Sequence, residues 1–555
     1  MAVFELQRFR DAAFGRGALP EHPLQDEDAA REALAQLPED PVQGLAELTG
    51  WATSLNAAEG FTPGRRARIL MQLDDAAHPR WRALGERFLA PRGKPLEGRD
   101  GEAAILKALF DSASEFNNGY AIALDAGGPK SEWLEQNFAR VMLRNLRWLT
   151  RRLDLAHMLR LPVTGAIWER LHLRYRTACE RGVERAVLPV FPGDKVTSSI
   201  KQEYARALLL ELADPRAMRA REIELAFRIT ARIASHVQLE PVPLPGAVYA
   251  VLPWSDQGPV LAASLGGNPG GALYFDTGAC LPRLQSALDR DADADPQDRD
   301  TLYGPEYTVR ERRAMLRRLL EHWGAQPPRR RARRVPLAAA VRLLGGFEAI
   351  AEVVPALEQA RTPDAPAADG ELRLQLADAA PVVQQRSRST AARQGAARVL
   401  DASTGGLGIA VRRADAAWAK LGLLVGIYVE PGPDWVVGVL RRIYAVEDEL
   451  RLGIQVLAHK PRLVWLRPEQ LRATTAWEEE KRFEKDFDAQ FQRAILPSPL
   501  PVPLEAGEFL LAPGTTSRGS QYDVPLGKGA QRVRVTALRD DGEFYQRAAF
   551  EPLSA

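Results

Sequence analysis

The chain has 555 residues, and its 74 Lys and Arg against 72 Asp and Glu leave a formal net charge of only +2. A nearly neutral chain creates no overall field for nucleic acid or an anionic membrane surface, so a charged partner must meet a local patch. The sequence has no run of about 18 apolar residues, which excludes a membrane-spanning helix, and its two cysteines exclude a disulfide framework.

The first 240 residues are predicted to form a helical domain. Arg8 and Arg10 precede any apolar run of signal-peptide length, which predicts a cytoplasmic protein. Only 10 of the 74 basic residues are Lys, a bias typical of a GC-rich bacterial genome. Apolar residues recur at three- and four-residue steps through residues 131–160, as on one face of a helix. Ser199 and Gln202 have the spacing of a capping box, which predicts the start of another helix.

A mixed segment, residues 241–361, follows the helical domain. Short runs rich in β-branched and aromatic residues predict a small sheet, and they lie at 247–252, 260–264 and 273–275. Helical periodicity returns at 310–320 and again at 337–357. Residues 362–372, rich in Pro, Ala and Asp and without periodicity, are predicted to be a linker.

Beyond the linker the predicted structure is mostly β. Strand-like runs lie at short spacing, at 399–400, 407–411, 423–429, 435–443 and 450–457. This spacing favours a small antiparallel barrel or sandwich. A helix is expected to pack on it with an apolar stripe at four-residue steps, formed by Phe483, Phe487, Phe491 and Ile495. We therefore predict a barrel with its packing helix over residues 373–496 and a terminal β segment over 497–555.

The predicted fold class is an α+β multidomain protein. Its N-terminal half is α-helical with a small β insert, and its C-terminal half is an antiparallel β-barrel followed by the terminal β segment. No catalytic constellation is visible, because the seven histidines lack metal-ligand spacing and there is no G-x-S-x-G nucleophile elbow. We expect neither enzymatic activity nor a metal site nor a resident cofactor. The acidic run at 289–300 alternates Asp residues but lacks the glycine and terminal Glu of a calcium loop, so we interpret it as a solvated loop.

A basic run lies between the predicted sheet and the predicted linker. Five arginines occupy six positions, Arg329, Arg330, Arg331, Arg333 and Arg334. Guanidinium groups at this density can hold phosphates, but no aromatic residues lie between them for base stacking. An exposed basic loop is therefore at least as good an interpretation as a nucleic-acid site, and we do not expect nucleic acid as a partner.

The most informative segment is QQRSRSTAARQGAARVLDASTGGLGIAV, residues 384–411. It contains arginines, then an acid, a hydroxyl and a glycine, and the candidate ligand-binding residues are Arg386, Arg388, Arg393, Asp401, Ser403 and Gly406. Arginine binds phosphates bidentately. A carboxylate accepts hydrogen bonds from N–H donors, and glycine lets the backbone approach a ligand.

Residues 399–411 resemble the D-x-S-x-x-G signature of PilZ domains, which are bacterial receptors for cyclic di-GMP. The later strands, at 423–429, 438–443 and 453–457, resemble those of the same family in order and pattern. The resemblance covers residues 373–470. It implies a PilZ-like barrel, a non-enzymatic signalling role, and cyclic di-GMP as the ligand of the six residues.

One departure from the family leaves two interpretations open. PilZ domains carry an R-x-x-x-R pair at a distance before the Asp where this chain has only Arg373. Arg388 and Arg393 lie closer, 13 and 8 positions before Asp401. Either the ligand is held by a rearranged arginine set, or the barrel is degenerate and the protein is an interaction scaffold. In both cases we expect a protein partner to dock through the helical half.

Overall fold

The computed structural model of the chain contains two compact units, Met1–Arg329 and Arg330–Ala555. The structure describes residues 22–90, 98–126, 131–193, 196–243, 248–299, 302–324, 326–328, 333–353, 397–429, 435–459, 461–469, 491–497, 504–526 and 529–553. The predicted linker at 362–372 and the candidate residues Arg386, Arg388 and Arg393 lie outside these ranges.

The first unit is mainly helical. Its helices are α1 (Glu27–Leu34), α2 (Pro41–Ala57), α3 (Pro63–Leu89), α4 (Gly98–Asp125), α5 (Glu132–Met158), α6 (Gly165–Glu180), α7 (Ile200–Leu212), α8 (Ala220–Ile233), α9 (Leu281–Arg290) and α10 (Val309–Trp323). Their apolar faces meet in one continuous core. The helical N-terminal half predicted from the apolar stripes is thus confirmed.

The helix starts follow local hydrogen-bond chemistry. The Ser131 hydroxyl accepts from the backbone N–H of Leu134 and begins α5. At the start of α7 the capping box is reciprocal, because the Gln202 N–H donates to Ser199 Oγ at 3.2 Å and the Ser199 N–H donates to Gln202 Oε1 at 2.9 Å. The start predicted from the capping box is confirmed. Among the described helices, none is both long and apolar enough to cross a membrane.

Short strands complete the first unit. A two-residue pair joins β1 (Leu188–Pro189) to β2 (Thr197–Ser198), and the predicted small sheet consists of β3 (Tyr249–Val251), β4 (Val260–Leu261) and β5 (Leu273–Phe275). The order of this sheet is β4-β3-β5. Its central strand is fully buried, so the β insert is part of the packed helical unit.

The second unit begins with a closed barrel of six antiparallel strands. They are β6 (Val335–Gly345), β7 (Ala397–Ser403), β8 (Gly406–Arg412), β9 (Leu424–Val429), β10 (Trp435–Val446) and β11 (Glu449–Ala458). The antiparallel barrel predicted from the spacing of the strand-like runs is confirmed. The sequence analysis missed β6, the strand that closes the barrel between β7 and β9.

The prediction of a helix over residues 337–357 is wrong for β6, and only residues 347–353 are helical in the described part of that range. Both faces of β6 are buried towards its end. Val341 and Leu343 point into the first barrel, whereas Leu344 packs in the cluster shared with the second barrel. The first half of β6 is exposed although it is apolar, with Val335 and Leu337 64% and 45% exposed. Apolar residues on the exposed positions remove the alternation that identifies strands, so the run resembled a helix.

A second closed barrel of six antiparallel strands follows. They are β12 (Arg462–Pro468), β13 (Gln492–Leu496), β14 (Gly507–Leu511), β15 (Gln521–Leu526), β16 (Gly529–Asp541) and β17 (Gln546–Pro552). The boundary expected between residues 496 and 497 therefore lies inside one barrel. Ile495, expected on the packing helix, lies in β13 and pairs with Leu510, whereas Phe483 and Phe487 lie outside the described residues.

The two barrels have the same topology. When the strands of each are numbered from one to six along the chain, neighbours follow the order 1-2-3-6-5-4 and strand four closes on strand one. An apolar cluster joins the barrels, with Trp435 and Val439 from the first and Leu510 and Tyr545 from the second. The C-terminal half of the molecule is therefore two barrels of the same strand order packed side by side.

Candidate ligand site on the first barrel

The turn between β7 and β8 holds the acid, hydroxyl and glycine of the sequence motif. Ser403 pairs with Gly406 across the turn, and its hydroxyl donates to the Gly406 carbonyl at 3.2 Å. The Gly405 carbonyl accepts from the Val456 N–H at 3.1 Å, which attaches the turn to β11. A β-bulge lies between Val399 and the motif acid. Bulges re-aim side chains at the ends of strands, and here the bulge immediately precedes the candidate site.

An arginine from the start of the barrel meets the motif acid. Arg334 directly precedes β6, whose first residue, Val335, pairs with Ala402 of β7. The Arg334 guanidinium forms a hydrogen-bonded ion pair with Asp401, through Nη1 and Oδ1. Their side chains are 23% and 32% exposed, respectively, so solvent and a solute can reach both groups. The pair places one cation and one anion side by side at the surface.

Glycines leave room for this ion pair. A Cβ atom on Gly408 would lie 2.5 Å from Asp401 Oδ1 and 2.9 Å from Arg334 Nη1. A Cβ atom on Gly406 would lie 2.9 Å from the Ile454 carbonyl oxygen and 3.7 Å from Arg334 Nη2. Across the sheet, Gly453 of β11 pairs with Gly408. We call Gly406, Gly408 and Gly453 the glycine floor.

Polar side chains border the glycine floor on β10 and β11. Gln455 is exposed and pairs with Gly406, and its Oε1 accepts from Arg441 Nε at 2.9 Å. Arg441 Nη2 lies 3.3 Å from Asp540 Oδ2 of the second barrel. The Tyr545 hydroxyl donates to the same Asp540 oxygen at 2.6 Å, and burial together with that hydrogen bond raises the pKa of Tyr545. Tyr545 therefore stays protonated as a donor at neutral pH.

The structure brings together three of the six candidate residues. Asp401, Ser403 and Gly406 lie around one turn beside the glycine floor. The other three candidates lie outside the described residues, so their role stays a prediction. The neighbouring arginine of β7, Arg398, donates to both carboxylate oxygens of Glu449 at 3.0 Å at an exposed position.

Sequence analysis assigned Arg334 to a basic loop and not to this site. A signal for it was present, because Arg330 and Arg334 have the R-x-x-x-R spacing that the PilZ resemblance calls for. Along the chain, however, Arg334 lies 67 positions before Asp401, far from the rest of the motif. The chain between β6, which ends at Gly345, and β7, which begins at Ala397, accounts for that separation. Strand pairing brings the two residues together.

The arrangement can bind an anionic ligand that also carries hydrogen-bond donors. Arg334 offers a fork of N–H groups that matches a phosphate or a purine edge. Asp401 accepts from donors such as ring N–H and amino groups. The glycine floor lets the Asp401 and Arg334 side chains lie close to the sheet, because a Cβ atom on Gly408 would overlap them. Within the described residues, no group of His, Cys, Asp and Glu could hold a metal ion.

Arginines are also concentrated inside the helical unit, where acidic partners bind them. Arg151 of α5 contacts Asp154 at 2.6 Å and Glu224 of α8 at 3.0 Å. Burial raises the pKa of Asp154 to about 7, against the lowering effect of the Arg151 charge. Arg144 of the same helix pairs with Asp74 at 3.2 Å and is 2% exposed. These buried pairs join helices to one another and offer no exposed anion site.

Comparison with known families relates the helical half to signalling proteins. Residues 28–244 match the family model of the N-terminal domain of the cyclic-di-GMP receptor FimW. The match covers less than half of the chain and lies in the first unit, over α1 to α8. No curated protein matches the sequence significantly.

Proposed function

We propose that this protein is a cytoplasmic, non-enzymatic bacterial receptor for cyclic di-GMP, which it binds on a PilZ-like first barrel. The observation that carries the proposal is the Arg334–Asp401 ion pair over the glycine floor, next to Ser403. Two independent features support it. The motif residues resemble those of PilZ domains, and the helical half matches a domain of a cyclic-di-GMP receptor.

The chemistry of the ligand fits the groups at the site. Cyclic di-GMP has two phosphates and two guanines. Arg334 can bind a phosphate or the O6 and N7 atoms of guanine bidentately, and Asp401 can accept from the guanine N1–H and amino group. Ligand entry then exchanges the Arg334–Asp401 ion pair for two contacts to the ligand. The candidate arginines of the sequence motif, Arg386, Arg388 and Arg393, would add further guanidinium groups from the chain that precedes β7.

Signalling requires that the ligand bind one arrangement of the protein better than another. We propose that ligand binding engages the arginines before β7 and changes how the protein presents its helical half to a protein partner. The free energy available for this change is the difference in ligand affinity between the two arrangements. The downstream partner would be recognised by the helical unit.

Calorimetric titration of the full chain with cyclic di-GMP tests the proposal. We expect saturable binding that falls at least about tenfold in Arg334→Ala and in Asp401→Ala, since each removes a charged contact. Arg398→Ala is the matched control, because Arg398 is bound to Glu449 on the same barrel. An Arg388→Ala, Arg393→Ala double variant tests the arginines before β7. Saturable binding that neither set of changes weakens would refute the site.

The ion pair also supports the alternative of a ligand-free scaffold. A guanidinium already bound to a carboxylate satisfies part of its own hydrogen-bonding capacity, as in a barrel that has lost its ligand. In that case titration with cyclic di-GMP gives no heat, no cyclic dinucleotide shifts the melting temperature, and residues 1–360 recover a protein partner. Neutralising Arg329, Arg330, Arg331 and Arg333 while keeping Arg334 separates both functions from nucleic-acid binding, which would show steep salt dependence on a polyanion column.

A further inference from the structure

Gln455 is a side chain beside the glycine floor that the sequence motif does not include. It lies on β11 directly opposite Gly406, and its side chain is exposed. Cross-strand partners in an antiparallel pair present their side chains on the same face, about 4.5–5.5 Å apart at Cβ. A Cβ atom on Gly406 would lie 3.7 Å from Arg334 Nη2 and 3.9 Å from Ser403 Oγ. The Gln455 amide therefore borders the candidate ligand site.

The orientation of this amide follows from its partner. Arg441 Nε lies 2.9 Å from Gln455 Oε1, and an arginine side chain has only donors. The amide atom that faces Arg441 must therefore be the oxygen. The amide nitrogen, with its two N–H groups, points away from Arg441. Gln455 is thus held as a donor at the border of the glycine floor.

The second barrel holds Arg441 in this position. Asp540 Oδ2 lies 3.3 Å from Arg441 Nη2, and the buried Tyr545 hydroxyl donates to that same oxygen at 2.6 Å. The Tyr545 hydroxyl therefore fixes the Asp540 carboxylate, which anchors Arg441. Arg441 in turn fixes Gln455 in the first barrel.

A fixed donor distinguishes the two common purines. A glutamine reads adenine with both ends of its amide, since Oε1 accepts from N6 while Nε2 donates to N7. Guanine presents two acceptors, O6 and N7, on the same edge. With Oε1 bound to Arg441, the amide favours the edge that has acceptors only. We propose that Gln455, positioned by Arg441 and Asp540, makes the site select guanine over adenine in a cyclic dinucleotide; this inference rests on the proposed function.

Titrations of the full chain with cyclic di-GMP and with cyclic di-AMP test the inference. The wild-type protein is expected to bind cyclic di-GMP more tightly than cyclic di-AMP. In Gln455→Glu the carboxylate keeps the contact with Arg441 but has no donor, so the preference should fall about tenfold. Gln455→Ala is a second variant that removes the amide without adding charge, and it should reduce the preference in the same direction.

Asp540→Asn tests Arg441 as a positioning residue from the second barrel. It should lower the preference for cyclic di-GMP by a smaller factor, about threefold, while the melting temperature changes little, because the Asp540 side chain is 27% exposed. A purely structural contact would change the melting temperature and leave the ratio of the two affinities unchanged. Gln43→Glu, the same substitution at an exposed position of α2, is the control and should leave the ratio as in wild type.

The outcomes separate this inference from the proposed function. If wild type binds cyclic di-GMP but Gln455→Glu and Gln455→Ala keep the full preference, the inference is overturned and the receptor function stands. Equal affinity of the wild-type protein for the two dinucleotides would also overturn the inference and leave the receptor function standing. If wild type binds neither dinucleotide, both the receptor function and the inference are overturned.

Discussion

The two barrels share one strand order but differ at the same topological position. In each barrel the third strand begins with a glycine that pairs with a residue of the sixth strand. In the first barrel this pair is Gly406 and the exposed Gln455; in the second it is Gly507 and Phe550. A Cβ atom on Gly507 would lie 3.1 Å from the Phe550 ring, which stacks on Phe509 with a 4.0 Å centroid distance.

The difference shows that the fold does not create the site. At this position the strand pair of the first barrel faces solvent and carries polar groups, whereas the pair of the second barrel faces the barrel core and carries a stacked aromatic pair. Function lies in the side chains placed on a fold and not in its topology. We therefore expect substitutions at matched positions to change ligand binding in the first barrel and stability in the second.

The largest expected effect is on the stability of the second barrel. Phe550 is 3% exposed, so Phe550→Ala should lower the free energy of unfolding by about 3–5 kcal/mol through lost burial and a cavity. Gln455→Ala at the matched exposed position should change it by less than about 0.5 kcal/mol. Urea unfolding followed by tryptophan fluorescence measures both. Similar losses in the two variants would contradict the comparison.

Filling the space above the glycine floor should weaken ligand binding by the first barrel. In Gly408→Val the new side chain would occupy the space of the Asp401 and Arg334 groups, and we expect the affinity for cyclic di-GMP to fall about hundredfold. Gly405→Ala is the matched control, because a Cβ atom there meets nothing within 4 Å. Calorimetric titration measures the affinity, and a Gly408→Val protein that binds as wild type does would exclude the glycine floor from the site.

The link between the barrels should contribute a small coupling energy. Arg441 and Asp540 are 43% and 27% exposed, so solvent screens their interaction. A double-mutant cycle with Arg441→Met and Asp540→Asn should give about 0.5 kcal/mol of coupling in urea unfolding. A coupling energy of zero would mean that the Arg441–Asp540 pair does not help to join the barrels.

The smallest effect is expected for the arginine outside the site. Arg398→Ala removes a pair with Glu449 in which the arginine side chain is 55% exposed. The free energy of unfolding should change by less than about 0.5 kcal/mol, and the affinity for cyclic di-GMP should stay within about twofold of wild type. A loss of affinity as large as that of Arg334→Ala would show that the site extends along β7.

The elements that the sequence predicted correctly are those that interactions between nearby residues determine. The capping residues and apolar stripes gave the helices of the first unit, because caps and amphipathic faces act within a few residues. The turn from Asp401 to Gly406 was likewise visible, since its acid, hydroxyl and glycine lie within six positions. These elements needed no knowledge of distant contacts.

Long-range pairing decided what the sequence analysis missed. Arg334 and Asp401 meet only because β6 pairs with β7 across a long chain separation, and no local pattern contains that register. The second barrel lacks a recognised motif, so its shared strand order became visible only in three dimensions. The strand β6 was mistaken for a helix because its exposed positions also carry apolar residues, so its sequence does not alternate.

The position of β6 in the chain predicts that the first barrel closes late during folding. The β7–β8 and β10–β11 hairpins form from neighbouring stretches of chain, whereas β6 must find β7 at a distance, and contacts between distant residues form slowly during folding. Arg334 and Asp401 become neighbours only when β6 pairs with β7. A molecule that binds both groups therefore recognises only the fully closed state, and by mass action it slows the opening of the seam between β6 and β7. Amide hydrogen exchange along β6 would then report ligand occupancy directly, residue by residue.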